Sequence, residues 1–310
     1  MVYNEQQLEN FSQPRSPHEI QRAKDTHMTI RKAVENHFDI ATVAEKYNFK
    51  PELEPFLQGS YLNNTHVAQS SDVDVVVRIK NLWKDNREVM PSDQRAKYEA
   101  AYSNISYPFE VFNQDILNAL IQYFGPDYVK NEQKCIKVLE HGKYGTADVI
   151  PSFIYRFYGN FQSIEQDVFK EGICFFTNDG SFLRNFPKLH MRALSDKCKP
   201  NNSAFKETVR MFKNIRDDLT DRRIIFEGIA KSYYIENLLY NFPDTSFSPS
   251  RIQTFEKIMG FLIEIYHLDL IKSFKCANGI DYLFSQGNWN YQYFQQFLVA
   301  LIKVKDETQL

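Results

Sequence analysis

What the chain lacks narrows it first. No apolar run is long enough to cross a bilayer: the longest, near Ile258 to Ile265, is interrupted by Glu264 and falls well short of the roughly 20 residues a spanning helix needs. The opening residues, MVYNEQQLENF, have neither the charged nor the apolar region of a secretion signal, so a soluble, cytoplasmic protein is expected. Cysteine is sparse and scattered (Cys135, Cys174, Cys198 and Cys276), with no C-x-x-C and no histidine at ligand spacing. That argues against a structural zinc site and for reduced thiols. Neither sign of charge is in excess. The 37 basic and 39 acidic residues leave a net charge of −2, which supplies no bulk attraction to DNA or RNA and excludes a nucleic-acid coat protein. Internal repeats and low-complexity segments are also missing.

What is present is ordinary globular composition. At 310 residues, with 43% apolar and 25% charged, the chain can bury a substantial core as one large domain or two smaller ones. Residues Met1 to Pro17 are polar and read as an arm. Ser16-Pro17 then starts a long amphipathic helix to about Phe38, carried by Ile20, Ala23, His27, Ile30 and Val34. A short helical stretch at Ile40 to Tyr47 leads to strands at Leu53 to Leu57 and Val73 to Ile79. A polar connection, Lys80 to Pro91, follows. Helices are expected at Ser92 to Ser103 and Val111 to Phe124, with strands at Lys134 to Leu139 and Thr146 to Ile150 around a turn marked by Gly142 and Gly145. From about Pro187 helical patterns dominate: Ala204 to Leu219, Arg223 to Tyr240, Ser250 to Tyr266 and Asn288 to Val304. The expected division is a mixed α/β portion over 1–190 and a helical portion over 191–310, with the boundary between Pro187 and Asn202.

The stretch Gln58 to Ile79, QGSYLNNTHVAQSSDVDVVVRI, carries the chemistry. Residues i and i+2 of a strand share a face, so Asp72 and Asp74 emerge side by side. Two neighbouring carboxylates repel unless a cation sits between them, and Mg²⁺ favours such an all-oxygen environment. Alone, Asp-x-Asp is also an ordinary polar strand start. Upstream, the small Gly59-Ser60 turn can bring backbone N–H groups and a hydroxyl close to a phosphate. Asp148 interrupts the apolar run Ala147-Asp148-Val149-Ile150, and a buried carboxylate needs a partner. A salt bridge would serve, but a hairpin strand beside Asp72 and Asp74 would make it a third acid of a two-metal phosphoryl-transfer site. Lys206, Arg210 and Lys213 share one helix face at i, i+4 and i+7, either as a solvated stripe or as a basic wall for phosphates. Phe175, Phe176, Tyr233 and Tyr234 could stack on a base or fill a core. Asn63, Asn64 and Asn178 could bond a base edge or cap a turn.

These motifs together resemble the polymerase-β-type nucleotidyltransferases, and more closely the CD-NTase (cGAS/DncV-like nucleotidyltransferase) family of bacterial cyclic oligonucleotide synthases. The resemblance rests on QGSYLNNT at Gln58 to Thr65, SDVDVVV at Ser71 to Val77 and ADVIPSF at Ala147 to Phe153. NFPKLH at Asn185 to His190, VRMFKNIRDDL at Val209 to Leu219 and SYYIENLLYNFPD at Ser232 to Asp244 extend it along nearly the whole chain. It implies an α+β fold: a nucleotidyltransferase core with a mixed sheet and a long N-terminal helix, a helical C-terminal lobe, and a cleft between them. It also implies Asp72, Asp74 and Asp148 as catalytic acids holding two Mg²⁺ ions, with Mn²⁺ as a possible substitute. Gln58, Gly59, Ser60, Lys213, Ser232 and Tyr233 would contact nucleotide or phosphate. The implied activity joins NTPs into a cyclic di- or oligonucleotide messenger, with release of pyrophosphate, in anti-phage (CBASS) signalling through a downstream effector. No zinc ribbon is present, which suggests no requirement for DNA, and a monomer is expected. The alternatives are a transferase acting on a tRNA end or a protein, and a non-catalytic nucleotide-binding homologue.

Overall fold

The computed structural model describes residues 2–40, 49–67, 72–102, 107–201, 203–285 and 287–306. In chain order the elements are α1 (Glu5–Ser12), α2 (Pro17–Ile40), β1 (Leu53–Leu57), a one-turn α3 (Gly59–Asn63), β2 (Val73–Asp85), α4 (Ser92–Ala101) and α5 (Phe109–Phe124). Then come β3 (Val129–Asn131), β4 (Ile136–Val138), β5 (Ala147–Phe157), β6 (Lys170–Phe176) and β7 (Phe182–Asn185). The chain finishes with α6 (Pro187–Cys198), α7 (Ala204–Asp221), α8 (Ser232–Tyr240), α9 (Arg251–His267) and α10 (Tyr291–Asp306). They form two compact units. One takes Pro17–Gln58 and Asp72–Lys188; the other takes Met1–Ser16, Gly59–Ser71 and Leu189–Leu310. Among the described residues no helix is long and apolar enough to cross a membrane.

The first unit is built on a mixed seven-stranded sheet ordered β1-β2-β5-β4-β3, with β6 beside β5 and β7 beside β6. β2 and β5 run parallel; the other pairs are antiparallel. Val73, Val75, Val76, Val77 and Ile79 are all buried, as a strand covered on both faces requires. On α2, Ala23, Ile30 and Val34 point inward, and Phe112 of α5 lies 6.0 Å from both Phe38 and Phe153. The one charge buried in the middle of β2, Arg78, is paired with Glu54 on β1 and Glu171 on β6. Isolated, such a guanidinium would be costly. Gly172 on β6 admits no side chain, because a Cβ there would lie 2.5 Å from the Asn185 carbonyl oxygen and 2.7 Å from the Phe186 ring. Gly172→Ala is therefore expected to cost about 1–3 kcal/mol by overpacking, measurable as a lower midpoint in urea unfolding with an unchanged slope.

The second unit is helical and packs around α7, whose Phe205, Val209, Met211, Phe212, Ile215 and Leu219 are buried. α1 docks on it: Asn214 donates to the Phe11 carbonyl at 2.7 Å and Arg210 to the Ser12 carbonyl at 2.6 Å. Trp289 is enclosed and donates its indole N–H to the Ile229 carbonyl at 2.7 Å.

Several expectations need correction. The N-terminal arm is not irregular: Asn4 and Gln7 form a reciprocal capping box that starts α1, and Leu8 is buried once α1 meets α7. β2 does not stop at Ile79 but continues to Asp85 through a register shift between Ile79 and Trp83, because Leu82 and Trp83 extend its apolar pattern. β5 likewise runs on to Phe157. The helix expected from Arg223 begins only at Ser232, since turns occupy the intervening segment, with Arg223 at φ +59° and Gly228 at +84°. β6, β7 and α6 were not anticipated. The expected helix at Ile40 to Tyr47 lies, after its first residue, outside the described residues.

Candidate active site

The acids converge through strand register. Parallel pairing of β2 with β5 sets Asp74 directly beside Asp148, and antiparallel pairing of β4 with β5 sets Lys137 on the other side of Asp148. The expected hairpin between the two acid-bearing strands is replaced by a long crossover through α4, α5, β3 and β4, as parallel neighbours require. Asp72 precedes β2 by one residue and is held where Val73 N–H donates to the Thr146 carbonyl at 3.0 Å. Gln58, at the end of β1, donates its backbone N–H to the Asp74 carbonyl at 3.0 Å, and its side-chain Oε1 is buried without a hydrogen bond.

Lys137 is the cation of this row. Its Nζ lies 3.1 Å from Asp72 Oδ2 and 3.5 Å from Asp148 Oδ1. Burial alone would lower its pKa, but Asp72 and Asp148 outweigh that and hold the ammonium firmly charged. Asp148 is pushed above the usual aspartate range, first by burial and further by Asp72, with Lys137 opposing. Its Oδ1 is buried and is met by the Lys137 ammonium as an ion pair without a hydrogen bond of ordinary geometry. The Cys135 thiol is pushed up to about 12 by burial and then by Asp148, so it stands beside the row as a neutral group. The donor set suits a hard divalent ion: three carboxylates, two of them in direct register. Among the described residues no three of His, Cys, Asp and Glu already stand together as a metal cluster, and Lys137 holds the acids instead.

Within the helical unit, Gly59 opens α3 at φ +70°, a backbone region that favours glycine, and Ser60 follows it. The Ser60 carbonyl accepts from Thr65 N–H at 2.9 Å, closing the segment into a tight loop. A buried carboxylate, Glu236 of α8, fastens that loop. It accepts from Thr65 Oγ1 at 2.6 Å, Lys213 Nζ at 2.7 Å, His190 Nε2 at 2.8 Å and Asn63 Nδ2 at 3.5 Å. Burial would raise the Glu236 pKa, yet Lys213 and His190 keep it well below the carboxylate range. Lys213, expected to approach the phosphates, is fully buried, and its three protons go to Glu236, the Thr65 carbonyl at 3.0 Å and Thr65 Oγ1 at 3.3 Å. Arg210 is also buried, donating to the Asn64 carbonyl at 2.6 Å. Arg210 and Lys213 of the anticipated basic wall are thus interior and brace the Gly59–Thr65 loop, whereas Lys206 is only half-buried. His66 stacks on Tyr61 at 4.2 Å, its pKa pushed down to about 4 by burial and then by Arg15, Arg210 and Lys213, so the imidazole is neutral at pH 7.

Ser232 takes the first position of α8, one turn before Glu236. Tyr233 is half-buried with its ring 5.0 Å from His190, and Tyr234 stacks on Trp289 at 5.5 Å. Phe176 lies against Phe109 and Phe182. Tyr234 and Phe176 therefore both make ring contacts, and Phe176 also lines a cavity with Phe109 and Phe153. The structure brings the three acids into one row, and it gathers Ser60 and Lys213 around the Glu236 node. Lys137, Glu236, His190 and Thr65 were missed from sequence. Lys137 could have been found by its place in the alternating strand Lys134 to Leu139; Thr65, His190 and Glu236 stand within the motifs that carry the resemblance, but nothing local paired them with one another.

Residues 193–306 match the family described as cGAS/DncV-like nucleotidyltransferase C-terminal helical domain. Over 302 residues the chain is 33% identical to the cyclic UMP-AMP synthase of Rhodothermus marinus, covering 96% of each. Over 267 residues it is 34% identical to the cyclic nucleotide synthase CdnE01 of Staphylococcus haemolyticus, covering 84% of this chain and 88% of that one. The solved R. marinus CdnE c-UMP-AMP synthase with Apcpp and Upnpp superposes with a TM-score of 0.83 at 31% identity, over 99% of this chain and 98% of that one. The Elizabethkingia meningoseptica CdnE cyclic dinucleotide synthase with GTP and Apcpp gives 0.73 at 28% identity, over 99% and 100%. A mixed sheet with Asp74 beside Asp148, a helical C-terminal domain and full-length similarity of this order lead to one conclusion: the chain belongs to the CD-NTase (cGAS/DncV-like nucleotidyltransferase) family and is a nucleotidyltransferase.

Proposed function

We propose that this enzyme joins NTPs into a cyclic di- or oligonucleotide, releasing one pyrophosphate for each bond formed. The observation that carries the proposal is the near-complete alignment with cyclic nucleotide synthases, together with the register that pairs Asp74 with Asp148. In each step an acceptor ribose hydroxyl attacks the α-phosphorus of a donor NTP. A new P–O bond forms, the bond to the β-phosphate bridging oxygen breaks, and pyrophosphate leaves. Asp148, raised by burial, is suited to take the hydroxyl proton. Asp72 and Asp74, with Asp148, would hold Mg²⁺, which supplies charge neutralisation for the attacking and leaving oxygens. Gln58, Gly59, Ser60, Ser232 and Tyr233 are assigned to the nucleotide and its phosphates. Lys213 is assigned to the loop that presents Ser60, because its ammonium is already saturated. The product would act as a diffusible messenger on a downstream effector in cytoplasmic anti-phage signalling.

Incubating the protein with all four labelled NTPs and Mg²⁺ tests the reaction. The expected result is a small phosphatase-resistant product whose mass, by mass spectrometry, equals a ring of nucleoside monophosphates. Label appearing only on added tRNA or protein, or no resistant product across a range of pH with Mg²⁺ or Mn²⁺, would sink the proposal.

A further inference from the structure

Lys137 is not accounted for by the chemistry above, and its position is unusual for a structural lysine. It stands on β4, yet its ammonium passes over the neighbouring strand β5 to reach Asp72, which precedes β2. Both of its ion-pair partners belong to the acid row: Asp72 at 3.1 Å and Asp148 at 3.5 Å. A divalent ion held by those two carboxylates would take the oxygens that now face the ammonium. It would then lie within a few ångströms of the ammonium, where two cations repel strongly in a partly buried site. The ammonium and the ion compete for Asp72 Oδ2 and Asp148 Oδ1.

We propose that Lys137 is a tethered cation that occupies the metal position of the acid row in the metal-free protein, so that loading a divalent ion requires its ammonium to leave Asp72 and Asp148. This rests on the reading of Asp72, Asp74 and Asp148 as the metal-binding acids. Two consequences follow from the geometry. The charge of the carboxylates is offset in part before substrate arrives, which lessens the mutual repulsion between β2 and β5. The free protein also binds divalent ions more weakly than three carboxylates alone would, because each binding event must break two ion pairs. An arriving polyphosphate changes that balance by offering the displaced ammonium another anion.

Direct metal binding to the nucleotide-free full chain is the test, read by the electron paramagnetic resonance signal of Mn²⁺ rather than by turnover. Lys137→Met is expected to bind Mn²⁺ about three- to tenfold tighter than the unmodified protein, the range for two partly exposed ion pairs. Lys137→Arg, which keeps the charge, should stay near the unmodified value. Equal or weaker binding by Lys137→Met would overturn the proposal. A measurement on the unmodified protein covers the possibility that the variant folds poorly: with lysine labelled by ¹⁵N at Nζ, Mg²⁺ should shift the Lys137 resonance with the midpoint of metal binding, and an unmoved resonance overturns the idea. Asp74→Asn separates the two levels. If it weakens Mn²⁺ binding while Lys137→Met fails to strengthen it, the Lys137 inference alone falls. If it leaves Mn²⁺ binding unchanged, the metal assignment of the acid row falls as well.

Discussion

Asp74→Asn should cut nucleotidyl transfer by at least about a thousandfold while leaving the fold intact. The substitution keeps the shape of the side chain and removes only its charge, at the position that β2 sets directly opposite Asp148. Charge stabilisation by a bound metal is worth several kcal/mol, and each 1.36 kcal/mol is about tenfold in rate, so if Asp74 holds the proposed metal its loss reaches three orders of magnitude. The neighbours of Asp74 along β2, Val73 and Val75, are buried and untouched by the change. Product formation under single-turnover conditions and thermal unfolding should be measured on the same preparation. A variant that folds normally and retains more than about a tenth of the rate would show that Asp74 does not hold the metal.

The second large effect is on stability. Glu236→Gln should destabilise the protein by about 3–5 kcal/mol, because it leaves the Lys213 ammonium buried beside a neutral amide. In a chain of this size that corresponds to a fall in Tm on the order of 10 °C. Lys213 is fully enclosed and has no route to water that would soften the loss. Removing both charges together, in Glu236→Gln with Lys213→Met, should recover much of the deficit, since the penalty belongs to the uncompensated charge. Additive losses in the double variant would show that the two residues do not act as a pair. The pH dependence has a definite sign. Glu236 is held below its ordinary value of 4.5, so its contribution is fully present above that pH and is lost as pH falls toward the folded value. Glu236→Gln should therefore flatten the acid side of the stability profile. Because Glu236 also fixes Thr65 and Asn63, the variant should raise KM for NTP if Gly59–Thr65 presents the phosphate contacts.

Much of the fold could be read along the chain where a local rule applied. Periodicity placed α2, α5, α7 and α9 to within a few residues, because an amphipathic helix carries its buried face in its own sequence. It failed where partners decided the outcome. The arm that became α1 looks polar until Leu8 meets α7, and β6 and β7 gain their stability from pairing, β6 with β5 and β7 with β6, rather than from any strong local pattern. The stretch Arg223 to Lys231 has apolar residues at plausible helical spacing, yet left-handed turns at Arg223 and Gly228 hold it out of the helix.

The sequence by itself singled out the acids to which the chemistry is assigned. Asp72, Asp74 and Asp148 are acids set at the start of apolar strands, and a carboxylate in such a position demands a cation whatever the fold. It also determined the reaction class, since the Gly-Ser turn, Asp-x-Asp and later lone Asp recur along nearly the whole chain with the motifs of one family. Only the tertiary structure decided what neutralises those acids and what the basic helix face is for. Lys137 reaches them through the β4-β5 register, and Lys213 turns inward to Glu236; both depend on residues far apart in the chain. The reason is physical: a charge is visible in a sequence, but its partner is fixed by pairing register and burial, which no short stretch of chain specifies.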